Sequence, residues 1–333
     1  MAEFISTFIT GFQSVVESDL TQRFPKIKIL GLYDGLIHYR FDGDSRELEK
    51  IIYFNNTFFV LKTMKGKGLN FPSLVGAVTS SKNYFLVNKG SFRIRFVQEN
   101  QFAKVDKALS RRAEDYVLAN SKLKLDRLSP TNEIWFSIRR EGFAFCGELI
   151  SKREFTEKNL NKGELRPEIA YFICCFADIS PEDTILEPFC GYGSIPTQLA
   201  KKFRFKKLFV SDIESEKVEL TKARKQISAA PEELIDCRVA DALNLSHIED
   251  KSISLVITDP PWGFYEDIGD INDFYSKMFN SFDRILSDHG RLVILSARKE
   301  ELEASAAAAG FKIKKSLHTL VNGKKAGLYL LSR

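Results

Sequence analysis

The chain is poor in the residues that build metal centres and disulfide frameworks. Four histidines (His38, His247, His289, His318) stand at no ligand spacing, and five scattered cysteines form neither a Cys-x-x-Cys pair nor a Cys/His zinc pattern. An odd cysteine count excludes a fully paired disulfide scaffold, so reduced and mostly buried thiols, no bound metal and a cytoplasmic setting are expected. No apolar run is long enough to span a bilayer, and the N-terminus lacks a basic stretch followed by an apolar one, so neither a membrane span nor a signal peptide is expected. Two phosphate-binding signatures are missing as well: the six-residue Gly-x-Gly-x-x-Gly pattern and the Lys of a phosphate loop. Internal repeats and low-complexity segments are absent.

What is present is ordinary in bulk. The 333 residues suggest two or three domains, and 44% apolar with 28% charged residues fits a soluble globular chain. Phe, at 28 residues, favours aromatic cores. The net charge of +5 is unevenly spread: residues 1–155 hold 24 Lys and Arg against 17 Asp and Glu, whereas the remainder holds 25 against 27. A basic front beside a near-neutral rear suits a polyanion-binding module joined to a second function.

Residues 1–65 read as one α/β unit. Glu3 to Ile9 is strand-like, Phe12, Val15, Val16, Leu20 and Phe24 recur at helical spacing, and Lys28 to Leu32 and Leu36 to Phe41 flank the turn signal Asp34-Gly35. A helix over Glu47 to Phe54 and a strand over Phe58 to Met64 complete a β-α-β-β-α-β order, as in a ferredoxin-like module. Lys65-Gly66-Lys67-Gly68 marks a boundary.

Residues 66–155 read as a second α/β unit, with a helix near Leu69 to Ser80, a strand over Ser91 to Phe96, a helix over Lys104 to Ala119 and paired strands around Glu141-Gly142. Singly, each of its arginines is an ordinary solvated charge. As a set, Arg93, Arg95, Arg111, Arg112, Arg139 and Arg140 could face phosphates, with Lys104 beside them. Residues 156–166 read as a linker, and Pro167 opens a strongly apolar helix.

From residue 167 to 333 strands and helices alternate, which gives a parallel sheet covered on both faces. His289-Gly290 is expected as a turn before the strand Leu292 to Ser296. Asn322-Gly323 joins a closing antiparallel hairpin. Four strands end in acidic signals: Glu187-Pro188-Phe189-Cys190-Gly191-Tyr192-Gly193, then Asp212, Asp241 and Asp259. Ligands of open parallel sheets bind beyond these carboxyl ends. Gly191 and Gly193 let the backbone approach a ligand, Asp212 can take ribose hydroxyls, and Asp241 can accept from an adenine amino group. Carboxylates repel phosphate, so the set suits a nucleoside-like ligand without phosphates.

The fourth strand runs into Asp259-Pro260-Pro261-Trp262. Two successive prolines stiffen the backbone and leave carbonyls unpaired. The Asp259 carboxylate and the Pro260 carbonyl can then act as two acceptors beside the flat face of Trp262, which suits a planar base bearing an exocyclic amino group. A turn with a buried Trp is the plainer reading of this tetrapeptide alone.

As an ordered set, these motifs resemble class I S-adenosylmethionine-dependent methyltransferases that act on amino groups. Phe92 to Lys152, with Gly142-Phe143-Ala144-Phe145-Cys146-Gly147-Glu148-Leu149, then Leu165-Arg166-Pro167, resembles a THUMP domain joined to such a catalytic domain. The resemblance implies an α/β fold: a Rossmann-like class I methyltransferase domain (167–333) preceded by a ferredoxin-like module (1–65) and a THUMP RNA-binding domain (66–155). It implies a tRNA guanine-N2 methyltransferase that uses S-adenosylmethionine. Glu187 would hold the donor's amino-acid end, lined by Pro188, Cys190, Gly191 and Gly193. Asp212 with Ile213 would hold the ribose, and Asp241 with Ala242 the adenine. Asp259, Pro260, Pro261 and Trp262 would take the flipped target base. Many relatives carry another residue where Trp262 stands, and the same tetrapeptide occurs in adenine-N6 enzymes. Ribosomal RNA or adenine-N6 methylation, a non-catalytic RNA-binding THUMP protein, and a helper subunit therefore stay open.

Overall fold

The computed structural model describes residues 2–87, 89–153, 160–264 and 268–333. The chain divides into two compact units, Met1–Phe8 with Val16–Glu154 and Ile9–Val15 with Phe155–Arg333.

The elements before residue 154 are β1 (Ala2–Thr7), α1 (Gln13–Arg23), β2 (Lys28–Tyr33), β3 (Leu36–Phe41), α2 (Ser45–Glu49), β4 (Asn56–Lys65), α3 (Phe71–Thr79), β5 (Ser91–Gln98), β6 (Gln101–Phe102), α4 (Lys107–Asn120), β7 (Lys124–Leu125), β8 (Asn132–Arg139) and β9 (Phe143–Lys152). Their nine strands form one sheet in the order β2-β3-β1-β4-β9-β8-β5-β6, with β7 beside β5. The sheet runs without a break across the expected division at residue 65. The antiparallel pairing of β4 with β9, from Asn56↔Lys152 to Lys65↔Phe143, fuses the two expected modules into one compact unit. The second expected helix is also shorter and ends at Glu49. Phe71, Leu74, Val75 and Val78 of α3 and Ala113 and Val117 of α4 cover Phe92, Phe96, Ile134 and Phe136 of the sheet. A smaller apolar cluster joins Ile5, Leu36, Phe58, Phe143 and Phe145.

The rear elements are α5 (Pro167–Phe176), β10 (Thr184–Glu187), α6 (Ser194–Lys202), β11 (Lys207–Asp212), α7 (Ser215–Lys222), α8 (Lys225–Ser228), β12 (Ile235–Val239), β13 (Ile253–Thr258), α9 (Ile271–Ile285), β14 (Leu286–Ser296), α10 (Lys299–Ala308), β15 (Lys312–Val321) and β16 (Lys324–Ser332). The sheet order is β12-β11-β10-β13-β14-β16-β15, parallel through β14 and then antiparallel. The chain builds outward from β10 to β12 and returns to the other side of β10 at β13, so the topological switch lies between β10 and β13. Tyr275, Met278, Phe279, Phe282 and Ile285 recur at helical spacing along α9 and bury one stripe against Val256, Leu292 and Ile294.

One expected turn is not there. His289-Gly290 lies inside β14, which starts directly after α9. The β13–β14 register jumps from Ile253↔Leu286 to Leu255↔Arg291, so the extra residues are absorbed as a bulge. Residues 9–15 contribute to this unit: the Phe12 ring stacks on Phe172 at 4.3 Å, and the Thr319 hydroxyl donates to the Thr10 carbonyl at 2.8 Å. Among the described residues no helix is long and apolar enough to cross a membrane. None of their His, Cys, Asp and Glu side chains group to hold a metal ion.

Candidate active site

A cavity of about 540 Å³ opens at the carboxyl ends of β10 to β13, over the topological switch. Its lining includes Glu187, Pro188, Cys190, Gly191, Asp212, Ile213, Asp241, Ala242, Asp259, Pro260, Pro261 and Trp262. All but one of the residues expected to hold donor and acceptor therefore share one space. The exception is Gly193, which faces away from it. At φ +80° Gly193 precedes α6, and a Cβ there would stand 2.7 Å from Thr221 Oγ1. Gly193 therefore sets the turn, while Gly191, at φ +50° with open space where a Cβ would point, borders the cavity.

The carboxylates have distinct environments. Glu187 ends β10 fully buried; its Oε1 accepts from Thr258 Oγ1 at 2.8 Å and from the Phe189 amide at 3.1 Å. Its Oε2 is buried with no partner among the described residues. Burial holds this carboxyl well above the usual range, and the Asp259 and Asp212 charges push the same way. Asp212 ends β11 and ties the glycine loop: Oδ2 accepts from the Gly191 amide at 2.8 Å and Oδ1 from the Glu214 amide at 3.0 Å. Asp241, exposed after β12, accepts from the Leu243 amide at 2.9 Å.

Asp259 follows β13. Its Oδ1 is shut from solvent without a hydrogen bond among the described residues, as is Trp262 Nε1. Burial pushes the Asp259 carboxyl up to about 7; the nearby Trp262 indole opposes this but is not in hydrogen-bonding geometry. The corner is held from behind. Arg298 Nε donates to the Trp262 carbonyl at 3.0 Å, and the Arg298 amide donates to Ser296 Oγ, which also meets Tyr275 Oη at 2.7 Å.

Sequence reasoning missed part of the lining. Lys162, Gly163, Glu164 and Leu165, within the expected linker, border the cavity. Arg224 pins them by bonding both Glu164 and the Tyr192 carbonyl, and Ser194 Oγ donates to the Leu165 carbonyl at 2.8 Å. A charged Glu close to the apolar helix was the available signal, and it had no period to stand out against. Phe274 of α9 also borders the cavity, as do Val321 and Asn322, which lie far along the chain from the motifs.

The expected RNA-facing arginines do not form one free cationic surface. Arg93 pairs with Glu133, and Arg95 lies 3.7 Å from the same carboxylate and over the Phe102 ring. Arg139 is nearly buried and bonds Asn100 Oδ1, the Asp34 carbonyl and Glu141. Arg140 is exposed but paired with Glu99, Arg112 donates to Thr79 Oγ1, and Arg111 is exposed on α4. The alternation of Arg with apolar residues in β5 sets Arg93 and Arg95 on one face, where cross-strand Glu133 offsets their charge.

Known proteins resemble this chain along its length. A tRNA (guanine(6)-N2)-methyltransferase of Archaeoglobus fulgidus is 22% identical, covering 94% of this chain and 87% of its own. The enzyme of the same name from Methanocaldococcus jannaschii is 21% identical, covering 99% and 100%. The crystal structure of TrmN from Thermus thermophilus matches with a TM-score of 0.79 at 18% identity over 100% of both chains. A putative methyltransferase complexed with SAH matches with a TM-score of 0.70 at 13% identity over 99% and 97%. Residues 153–326, more than half the chain and containing every wall of the acidic cavity, match the family described as RMKL-like, methyltransferase domain, so the protein belongs to that family of S-adenosylmethionine-dependent methyltransferases.

Proposed function

We propose that the chain methylates the exocyclic amino group of a guanine in tRNA, forming N2-methylguanosine, with the base flipped against Asp259-Pro260-Pro261-Trp262. The observation that carries this reading is the pair of buried polar atoms left without partners among the described residues at that corner, Asp259 Oδ1 and Trp262 Nε1. Native interiors seldom leave such atoms unpaired, and a polar planar ligand would satisfy them. The two curated relatives named for this activity support the choice of substrate.

The cavity's residues fit S-adenosylmethionine. The unpartnered Glu187 Oε2, with Asp212 and Asp241, suits a cationic ligand bearing amino and hydroxyl donors. Gly191 leaves room for close approach. Glu187 would hold the amino-acid end, Asp212 the ribose hydroxyls and Asp241 the adenine amine, flanked by Pro188, Cys190, Ile213 and Ala242. When bound, the donor supplies a methyl group already activated by its sulfonium charge.

The chain's own task is to aim and polarise the amine. Its lone pair is delocalised into the ring, which makes it a poor nucleophile. Acceptance of its N–H bonds by Asp259 Oδ1 and the Pro260 carbonyl turns the nitrogen towards sp3 and stabilises the positive charge that develops there. The stiff Pro-Pro backbone fixes both acceptors, and Arg298 fixes the peptide beyond them. Residues 1–65 act as a ferredoxin-like module, supported by the antiparallel order β4-β1-β3-β2, and residues 66–155 act as a THUMP-type unit that binds RNA. Arg111, Arg112 and Arg140 are the exposed members of the arginine set expected to face phosphates.

Asp259→Ala tests the reading. Methylation of tRNA, followed by mass spectrometry of its nucleosides, should fall by about 10²–10³-fold or more while calorimetric binding of S-adenosylmethionine persists. A variant that works at the wild-type rate removes Asp259 from the site. A product of N6-methyladenosine replaces guanine by adenine as the target.

A further inference from the structure

The C-terminal hairpin outruns its sheet. Gly327 of β16 stands opposite Ser296, the last residue of β14. The β15–β16 ladder continues through Thr319↔Ala326, Leu320↔Lys325 and Val321↔Lys324. At roughly 3.4 Å per residue, the tip projects about 10 Å past the carboxyl edge of the sheet. Asn322 (φ 49°) and Gly323 (φ 78°) close it as a tight turn, and Val321 and Asn322 border the cavity.

This tip carries two lysines next to the cavity-lining Val321 and Asn322. Lys325 is exposed. Lys324 Nζ lies 3.9 Å from the centroid of the Phe264 ring, and the Arg298 guanidinium lies 4.4 Å from the same centroid. Phe264 is 39% exposed and stands edge-on to Trp262, with ring centroids 6.4 Å apart. Two cations so near one ring are within about a Debye length (~8 Å) of each other. One carboxylate, Glu301, is near them, at 3.7 Å from Arg298; Lys324 and Lys325 pair with no acidic residue among those described. Among the described residues, the arrangement leaves an unbalanced positive charge beside a cavity whose floor is acidic.

We propose that the hairpin tip and Arg298 hold the RNA backbone at the cavity mouth, Lys324 and Arg298 gripping a phosphodiester beside the flipped nucleotide. The inference rests on the proposed RNA substrate and adds its point of contact. The division of charge follows: anions are held at the rim and excluded from the floor, so a nucleotide enters base first. Phe264 holds the two cations together through their contacts with its ring.

The test uses the full chain with variants Lys324→Glu, Lys324→Gln and Lys324→Arg, and total tRNA from a strain lacking the protein. Lys324→Glu should raise KM for RNA by about 10-fold or more. It should also reduce the slope of log Kd against log salt by about 1, measured by filter binding between about 50 and 200 mM salt. Lys324→Gln should fall between, and Lys324→Arg should restore wild-type behaviour. Binding of S-adenosylmethionine should be unchanged throughout. A wild-type KM and salt slope in Lys324→Glu, with active wild-type enzyme, would show that the tip faces solvent or a protein and overturns the inference. So does a loss confined to kcat, which would make Lys324 merely a prop for Phe264. Wild-type protein that methylates no RNA fails the parent reading and this one with it.

Discussion

Asp259 lives under opposing demands. Its carboxyl accepts from an amine most strongly when ionised, yet burial lifts it to about 7 from an ordinary 3.8. An acid whose folded pKa exceeds its unfolded value is favoured in the protonated form. Folding stability from this group is therefore intact below about pH 4 and is lost as pH rises through about 7. Asp259→Asn should thus stabilise the ligand-free protein at about pH 8, by on the order of 1–3 kcal/mol after allowance for its partial exposure, and have little effect near pH 4–5. Denaturant melts at the two pH values check this; equal changes at both would refute it. The same shift predicts that methyl transfer declines as pH falls below about 7. A cationic donor bound alongside should move that midpoint lower, which pH profiles at limiting and saturating donor would reveal.

Elements explain which parts of the structure were legible in advance. Hairpins around Asp34-Gly35, Glu141-Gly142 and Asn322-Gly323 were readable because the positive φ that such turns need is written into the residues themselves. The β4–β9 pairing was not, because partners such as Asn56 and Lys152 lie far apart in sequence and no local pattern names them. The His289-Gly290 bulge was hidden for a related reason: the partner strand's register decides it. The acidic strand ends were legible, whereas the Glu164–Arg224 brace was visible only once folded. The glycine loop offers a test at this scale. Gly193→Ala meets Thr221 and should lower stability by about 1–3 kcal/mol with donor affinity altered only through the fold. Gly191→Ala meets no protein atom and should instead weaken donor binding more than it lowers the melting temperature. Calorimetry and thermal melts on both variants separate the roles; the reverse pattern would exchange them.

For the whole molecule, the notable feature is that residues 9–15 complete the methyltransferase unit. Phe12 is fully buried with its ring stacked on Phe172, and a Cβ at Gly11 would stand 1.9 Å from the His318 carbonyl oxygen. Phe12→Ala should destabilise this unit by about 3–5 kcal/mol, read from its unfolding transition. A fragment of residues 155–333 should melt lower than the full chain and bind the donor more weakly, unless a peptide spanning residues 9–15 is supplied. Unchanged melting of the fragment would contradict this.

The same strap bears on how the protein is made. A ribosome releases residues 9–15 well before Phe172, and Phe172 well before His318 and Thr319, so one edge of the catalytic unit waits for its partners while the segments between are made. A nascent chain stalled before Phe172 therefore carries Phe12 without its stacking partner, and the β15 strand that meets Thr10 and Gly11 closes over this hook later still.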